Sequence, residues 1–471
     1  MRYFAIAFLL INTISAFVLA PKKPSQDDFY TPPQGYEAQP LGSILKTRNV
    51  PNPLTNVFTP VKVQNAWQLL VRSEDTFGNP NAIVTTIIQP FNAKKDKLVS
   101  YQTFEDSGKL DCAPSYAIQY GSDISTLTTQ GEMYYISALL DQGYYVVTPD
   151  YEGPKSTFTV GLQSGRATLN SLRATLKSGN LTGVSSDAET LLWGYSGGSL
   201  ASGWAAAIQK EYAPELSKNL LGAALGGFVT NITATAEAVD SGPFAGIISN
   251  ALAGIGNEYP DFKNYLLKKV SPLLSITYRL GNTHCLLDGG IAYFGKSFFS
   301  RIIRYFPDGW DLVNQEPIKT ILQDNGLVYQ PKDLTPQIPL FIYHGTLDAI
   351  VPIVNSRKTF QQWCDWGLKS GEYNEDLTNG HITESIVGAP AALTWIINRF
   401  NGQPPVDGCQ HNVRASNLEY PGTPQSIKNY FEAALHAILG FDLGPDVKRD
   451  KVTLGGLLKL ERFAFHHHHH H

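Results

Sequence analysis

The chain runs to 471 residues, 43% of them hydrophobic and only 17% charged, with a formal net charge of −4. That composition supports a large buried core and excludes wholesale disorder; with no sustained basic run, there is no electrostatic footprint for nucleic acid. Six of the eleven histidines form the terminal run His466–His471, read as a purification tag, which leaves His284, His344, His381, His411 and His436 for chemistry.

Residues 1–20, MRYFAIAFLLINTISAFVLA, place Arg2 before an apolar run and small residues (Ser15, Ala16, Ala20) near its end. This predicts a secretory signal peptide cut near residues 15–20. An anchoring helix is the alternative, but the run is short for a bilayer. The longest later apolar segment, Leu220–Val229, has ten residues. The remaining ~445 residues suit two or three ordinary domains, or one large α/β domain with insertions. In an exported chain, Cys112, Cys285, Cys364 and Cys409, with no C-x-x-C among them, predict two disulfides rather than a zinc or redox site. Three pairings are open. Asn180-Leu-Thr and Asn231-Ile-Thr are glycosylation sequons.

Up to about residue 60 the sequence is rich in proline and polar residues and predicts an extended arm lying on the main domain. Strands are predicted at 67–72, 83–89, 99–104, 144–148, 190–195 and 339–343, with helical patterns near 159–176, 197–214 and 389–399. This alternation predicts a mostly parallel sheet covered by helices. From about 230 to 325 it stops, and apolar stretches at 244–252, 262–274 and 291–306 follow one another with no clear strand between. In the last, Ile291, Phe294, Phe298, Ile302 and Tyr305 recur at spacings of three and four, predicting one helix face. Phe299, Ile303 and Phe306 extend the apolar surface beyond one buried stripe. The segment reads either as a helical insertion packed on the sheet or as a cap lining an apolar pocket.

Gly194-Tyr195-Ser196-Gly197-Gly198 matches G-x-S-x-G, the elbow that presents a serine on a tight strand-to-helix turn. The pattern is weak alone; an apolar strand leading in and a helical pattern leading out supply the setting it needs. A serine hydroxyl also requires a base and an orienting acid, which in α/β-hydrolases follow in the order acid, then histidine. Asp348 lies just past the predicted strand 339–343, where open α/β sheets place functional groups. His381, in Asn379-Gly380-His381, sits in a glycine-flanked loop before a helix and is the expected base. His344 reads as structural, His436 as part of a helix, and His284 and His411 as neighbours of cysteines. One oxyanion donor is expected to be the N–H of Gly197, with the second in the loop Phe104-Glu105-Asp106-Ser107-Gly108.

In this order the pieces resemble the secreted lipases of Candida-type yeasts, the lipase A family of α/β-hydrolases. The resemblance is carried by Tyr101–Ser107, Cys112–Tyr116, Val147–Gly153, the elbow, His344–Asp348 and Gly380-His381. It implies an α/β-hydrolase fold with a mostly parallel central sheet: a core over 21–229 and 326–465, a helical cap or lid over 230–325, and a C-terminal flap around 440–455. It also implies oxyanion donors on Asp106 and Gly197, and disulfides joining Cys112 to Cys285 and Cys364 to Cys409. The implied activity is hydrolysis of triacylglycerols and other carboxylic esters, with acyl transfer to alcohols, and no metal or organic cofactor. The expected protein is secreted and monomeric, with lipid esters and the lipid–water interface as its partners and no nucleic acid. A short-chain esterase or another serine acyl hydrolase on the same fold is the nearer alternative, and an inactive secreted binding protein the farther one.

Overall fold

In the computed structural model, which describes residues 20–279 and 284–469, the strands are as follows. They are β1 (Ile44–Asn49), β2 (Leu54–Asn56), β3 (Thr59–Val61), β4 (Asn65–Glu74), β5 (Pro80–Gln89) and β6 (Lys94–Gln102), then β7 (Tyr144–Pro149), β8 (Glu189–Tyr195), β9 (Leu220–Gly226), β10 (Leu340–Gly345), β11 (Ser370–Asp376) and β12 (Gly408–Arg414). One sheet takes ten of them in the order β1-β4-β5-β7-β6-β8-β9-β10-β11-β12, and β2 and β3 form a separate hairpin. Pairings from β1 to β7 are antiparallel, and those from β7 through β12 are parallel.

Successive strand residues point to opposite faces. Along β10, Leu340 and Ile342 join one core layer while Phe341 and Tyr343 join the other. Helices Gly161–Lys177, Gly197–Tyr212 and Ile353–Asp365 cover the first face; Met133–Asp141, Ala389–Phe400 and Gln425–Ile438 cover the second. Burial on both faces explains why the parallel strands β7, β8, β9 and β10 read as mostly apolar runs. This is the expected α/β-hydrolase architecture.

Three expectations need correction. The arm before residue 60 is partly sheet, because β1 pairs with β4 and β2–β3 makes a hairpin. β9, β11 and β12 were not among the predicted strands. The helix expected over 291–306 ends at Ala292, and Gly295, at φ +69°, leaves the helical region. Beyond it the Asp240 carboxylate accepts the N–H groups of Phe298, Phe299 and Ser300 at 2.6–3.0 Å, so the backbone is satisfied without a helix. Phe298, Phe299, Tyr305 and Phe306 are buried, whereas Ile302 and Ile303 stand 99% and 80% exposed. Of the surplus residues only Ile303 therefore faces outward, joined by Ile302 from the expected buried face, while Phe299 and Phe306 pack inside.

Between β9 and β10, no strand occurs among the described residues. The segment forms helices that include Ile232–Val239, Gly246–Glu258, Pro260–Lys269 and Leu286–Ala292. Cys112 is bonded to Cys285, which ties the chain after β6 to this segment, and Cys364 is bonded to Cys409. Asn180 is exposed, while the amide of Asn231 caps helix Ile232–Val239 and donates to Asn355 Oδ1 at 3.1 Å. No described helix is long and apolar enough to cross a membrane. The leader, apart from its last residue, lies outside the described residues.

Candidate active site

Ser196 links β8 directly to helix Gly197–Tyr212 at φ 55°, ψ −119°. This backbone conformation is disfavoured for a residue with a side chain and costs on the order of 1–3 kcal/mol. Ser196 N–H donates to Gly226 O at 2.9 Å, and its carbonyl accepts from Ser199 and Leu200, which fixes the turn. The flanking glycines follow from close approach: a Cβ on Gly194 would lie 2.1 Å from Gly198 O, and one on Gly198 2.1 Å from Gln102 O.

Asp348 follows β10 and His381 follows β11, so the C-terminal edge of the sheet brings both to Ser196. His381 Nε2 lies 2.9 Å from Ser196 Oγ, and its Nδ1 lies 2.7 Å from Asp348 Oδ2. All three side chains are buried. Asp348 Oδ1 accepts the N–H groups of Ile350 and Val351 at 2.9 and 2.7 Å. His344, fully buried, accepts the Phe228 N–H at Nδ1, so Nε2 carries its proton. That proton faces Val351 O at 2.8 Å and Asp348 Oδ2 at 3.2 Å. Burial alone would raise the Asp348 carboxyl, but His381 and His344 outweigh it and hold the group well below the usual carboxylate range. Burial disfavours charge on the His381 ring, yet Asp348, with Asp450 and Asp106 beyond it, raises its pKa.

The loop after β6 brings Asp106 against the elbow at φ 50°. A Cβ on Gly197 would lie 1.9 Å from Asp106 Oδ1, which is buried with no hydrogen-bond partner among the described residues. Burial pushes this carboxyl up to about 7, against a smaller pull from His381. Two buried acids brace the loop: Glu132 accepts the Phe104 N–H at 3.0 Å and Glu152 the Ser107 N–H at 3.4 Å. From the other side, Asn250 donates to Asp106 O at 2.9 Å, Asn257 to Gly108 O at 3.0 Å, and Ser107 Oγ to His284 O at 2.9 Å.

A cavity opens at Asp106, Ser196 and Gly197 and runs beneath helices Ile232–Val239 and Gly246–Glu258, past Ile248, Ala251, Ile255 and Phe299. Its walls are almost wholly apolar. Among the described residues no group of His, Cys, Asp or Glu is arranged to hold a metal ion.

Residues 118–408 match the sequence model described as secretory lipase, which is more than half of the chain. The chain belongs to the secretory lipase family. Lipase 4 of Candida albicans is 61% identical over 455 residues, which is 97% of this chain and 98% of that protein. Lipase 5 of the same yeast is 58% identical over equal coverage. Candida antarctica lipase A, solved in its closed state, matches with a TM-score of 0.77 at 28% identity, covering 88% of this chain and 96% of that one. The protein is thus a lipase, a hydrolase of the α/β class, in the family that its motifs resemble.

Sequence reasoning did not single out all of this lipase's site. Glu132 and Asn250 went unnoticed, Glu152 entered only within the motif Val147–Gly153, and Asp450 only within the flap expected around 440–455. Asp450 is the most distant of them in the chain. Its Oδ2 accepts the N–H groups of His381 and Ala349 at 2.8 and 2.9 Å, and its Oδ1 accepts that of Ile382 at 3.0 Å. The usable signal was Gly380, beside the expected base. Of the other histidines, His411 meets Glu375 on the neighbouring strand at 3.1 Å and His436 is exposed on its helix.

Proposed function

We propose that this secretory lipase is an exported triacylglycerol lipase working by two-step acyl transfer. His381 Nε2 accepts the Ser196 proton as Oγ attacks the ester carbonyl, and Asp348 stabilises the imidazolium that forms. The N–H groups of Asp106 and Gly197 receive the oxyanion; each such donor typically contributes ~10²–10³ in rate. The alcohol leaves with the proton from His381. Water, activated by the same ring, then releases the fatty acid, and an alcohol in its place gives acyl transfer. No cofactor takes part. The observation that carries this reading is the unbroken chain Ser196–His381–Asp348, at 2.9 and 2.7 Å, opening onto an apolar cavity.

The helical segment 230–325 is the cap in this reading: its helices supply one wall of the acyl cavity. A lipid surface is the partner. Leu273, Ile276, Ile302 and Ile303 are 75–99% exposed, and the Ser271 N–H bond to Tyr305 O at 2.7 Å holds their two segments together. Export is supported by the leader and the two disulfides.

The test is hydrolysis of a long-chain triglyceride emulsion beside Ser196→Ala, with a series of dissolved esters of increasing acyl length. Emulsion turnover that vanishes in Ser196→Ala is expected. A rate maximum at short chains would replace this reading with the esterase, and turnover that survives Ser196→Ala would remove the serine mechanism.

A further inference from the structure

We infer that Asp450 is a positioning residue for the hydrolytic centre, a carboxylate from the C-terminal segment that fastens the acid loop to the base loop. The inference rests on the serine mechanism above. Asp348 and His381 leave different strands, and their 2.7 Å bond depends on two loops keeping their separation. Asp450 spans those loops with one oxygen: Oδ2 accepts both the Ala349 N–H, next to the acid, and the His381 N–H, on the base itself. Oδ1 adds the N–H of Ile382.

The surroundings are shaped for this contact. Asp450 is 4% exposed and sits at φ 56°, a left-handed conformation that aspartate tolerates better than most residues. Lys448 O accepts the Gly380 N–H at 2.9 Å, a second tie from the same segment. A Cβ on Gly380 would lie 2.6 Å from Asp450 Oδ2 and 2.7 Å from Lys448 O, so glycine beside the base is what admits the segment. The carboxylate also adds negative charge facing the imidazole. The groups facing His381 are Asp348 at Nδ1, Ser196 at Nε2, Asp106 and Asp450 through space, and the Tyr195 ring at 5.0 Å. Asp450 itself faces His381 and Asp348, and the side chains of its neighbours Lys448 and Arg449 are exposed.

The test compares kcat and KM on a dissolved short-chain ester for the full chain, Asp450→Ala and Asp450→Asn, with folding followed by circular dichroism. Asp450→Ala is expected to lower kcat on the order of 10²-fold with little change in KM, as an ångström-scale misplacement of catalytic groups does. Asp450→Asn keeps an amide oxygen able to accept the bridging Ala349 and His381 N–H bonds, losing only that of Ile382, and is expected to recover most of that loss. It should also move the acid limb of the kcat/KM profile to lower pH, because one negative charge facing the imidazolium is gone. A merely structural role leaves that limb in place. Asp450→Ala at parental kcat, or a folded Asp450→Asn with an unmoved limb, overturns the inference. If Asp450→Ala does not fold, the Asp450→Asn profile decides alone. Turnover lost in Ser196→Ala but kept in Asp450→Ala overturns this inference only, whereas turnover surviving Ser196→Ala overturns the serine mechanism and this inference with it.

Discussion

Gly197→Ala tests the oxyanion geometry most directly. The added Cβ would stand 1.9 Å from Asp106 Oδ1 and 3.0 Å from its Cγ, and real Cβ atoms essentially never come within 3.0 Å of another group. Either the carboxyl or the elbow must yield by at least about 1.1 Å. The carboxyl has little room, since Asp106 is 5% exposed and its loop is braced by Glu132, Glu152 and Asn250. Misplacement of this size costs on the order of 10²-fold in rate, about 2.7 kcal/mol of transition-state stabilisation. The loss should fall on kcat, because the N–H pair acts on charge that develops only in the transition state. The assay is kcat and KM on a dissolved ester, with Tm measured alongside, and Asp106→Ala added to Gly197→Ala should recover part of the loss by removing the overlapping oxygen. A folded Gly197→Ala within threefold of the parent would refute the reasoning: the carboxyl would then swing aside without disturbing the N–H pair.

Two further predictions concern stability and specificity. Burial raises the carboxyls of Glu105 and Glu152, helped at Glu105 by the charge of Glu152 and at Glu152 by that of Asp106; burial also raises Glu132, and pushes Asp106 and Asp150 up to about 7. The unfolded chain releases these protons near pH ~4, so the stability they contribute is full below that value and is lost as pH rises through the folded values. Asp348 and Glu375 are lowered and act in the opposite sense, but only below the ordinary carboxylate range. Calorimetric Tm should therefore fall from about pH 5 to about pH 8, with a shallower fall in Glu105→Gln; a Tm rising across that window contradicts the assignment. Ala251→Phe narrows the cavity beneath helix Gly246–Glu258 and should lower the long- to short-chain ratio of kcat/KM at least ~10-fold; an unchanged ratio would mean that the acyl chain lies elsewhere.

The elements legible in the sequence were those whose signal is local. The elbow announces itself because two glycines must flank a strained serine, and β10 because both faces of its apolar run are buried. Asp348 and His381 followed from chain order and loop character, and the family motifs supplied Asp106. The segment 291–306 misled, since a spacing of three and four arises equally from a bent chain that buries Phe298 and Tyr305 and exposes Ile302. β11, Ser-Gly-Glu-Tyr-Asn-Glu-Asp, was invisible because its polar residues are paid for by tertiary partners, such as Arg357 for Glu375 and Arg414 for Asn374. Asp450 was beyond reach for the same reason: its partners are backbone N–H groups of residues 349, 381 and 382, and no pattern around position 450 encodes them.

The inserted helices and the loop bearing Asp106 are joined by the bonds from Asn250 and Asn257, by that from Ser107 to His284, and by the Cys112–Cys285 bridge. In mechanical terms the roof of the cavity and the bracket of the carbonyl are one linkage. Lifting the helices away would break the Asn250 bond to the carbonyl oxygen of Asp106, while the Cys112–Cys285 bridge would keep the segment tethered. The contacts that roof the acyl cavity therefore also hold the loop expected to bind the oxyanion. An acyl group that kept the helices from packing would on this reading disturb both the cavity and the oxyanion loop, so a poor chain fit is expected to lower kcat as well as raise KM.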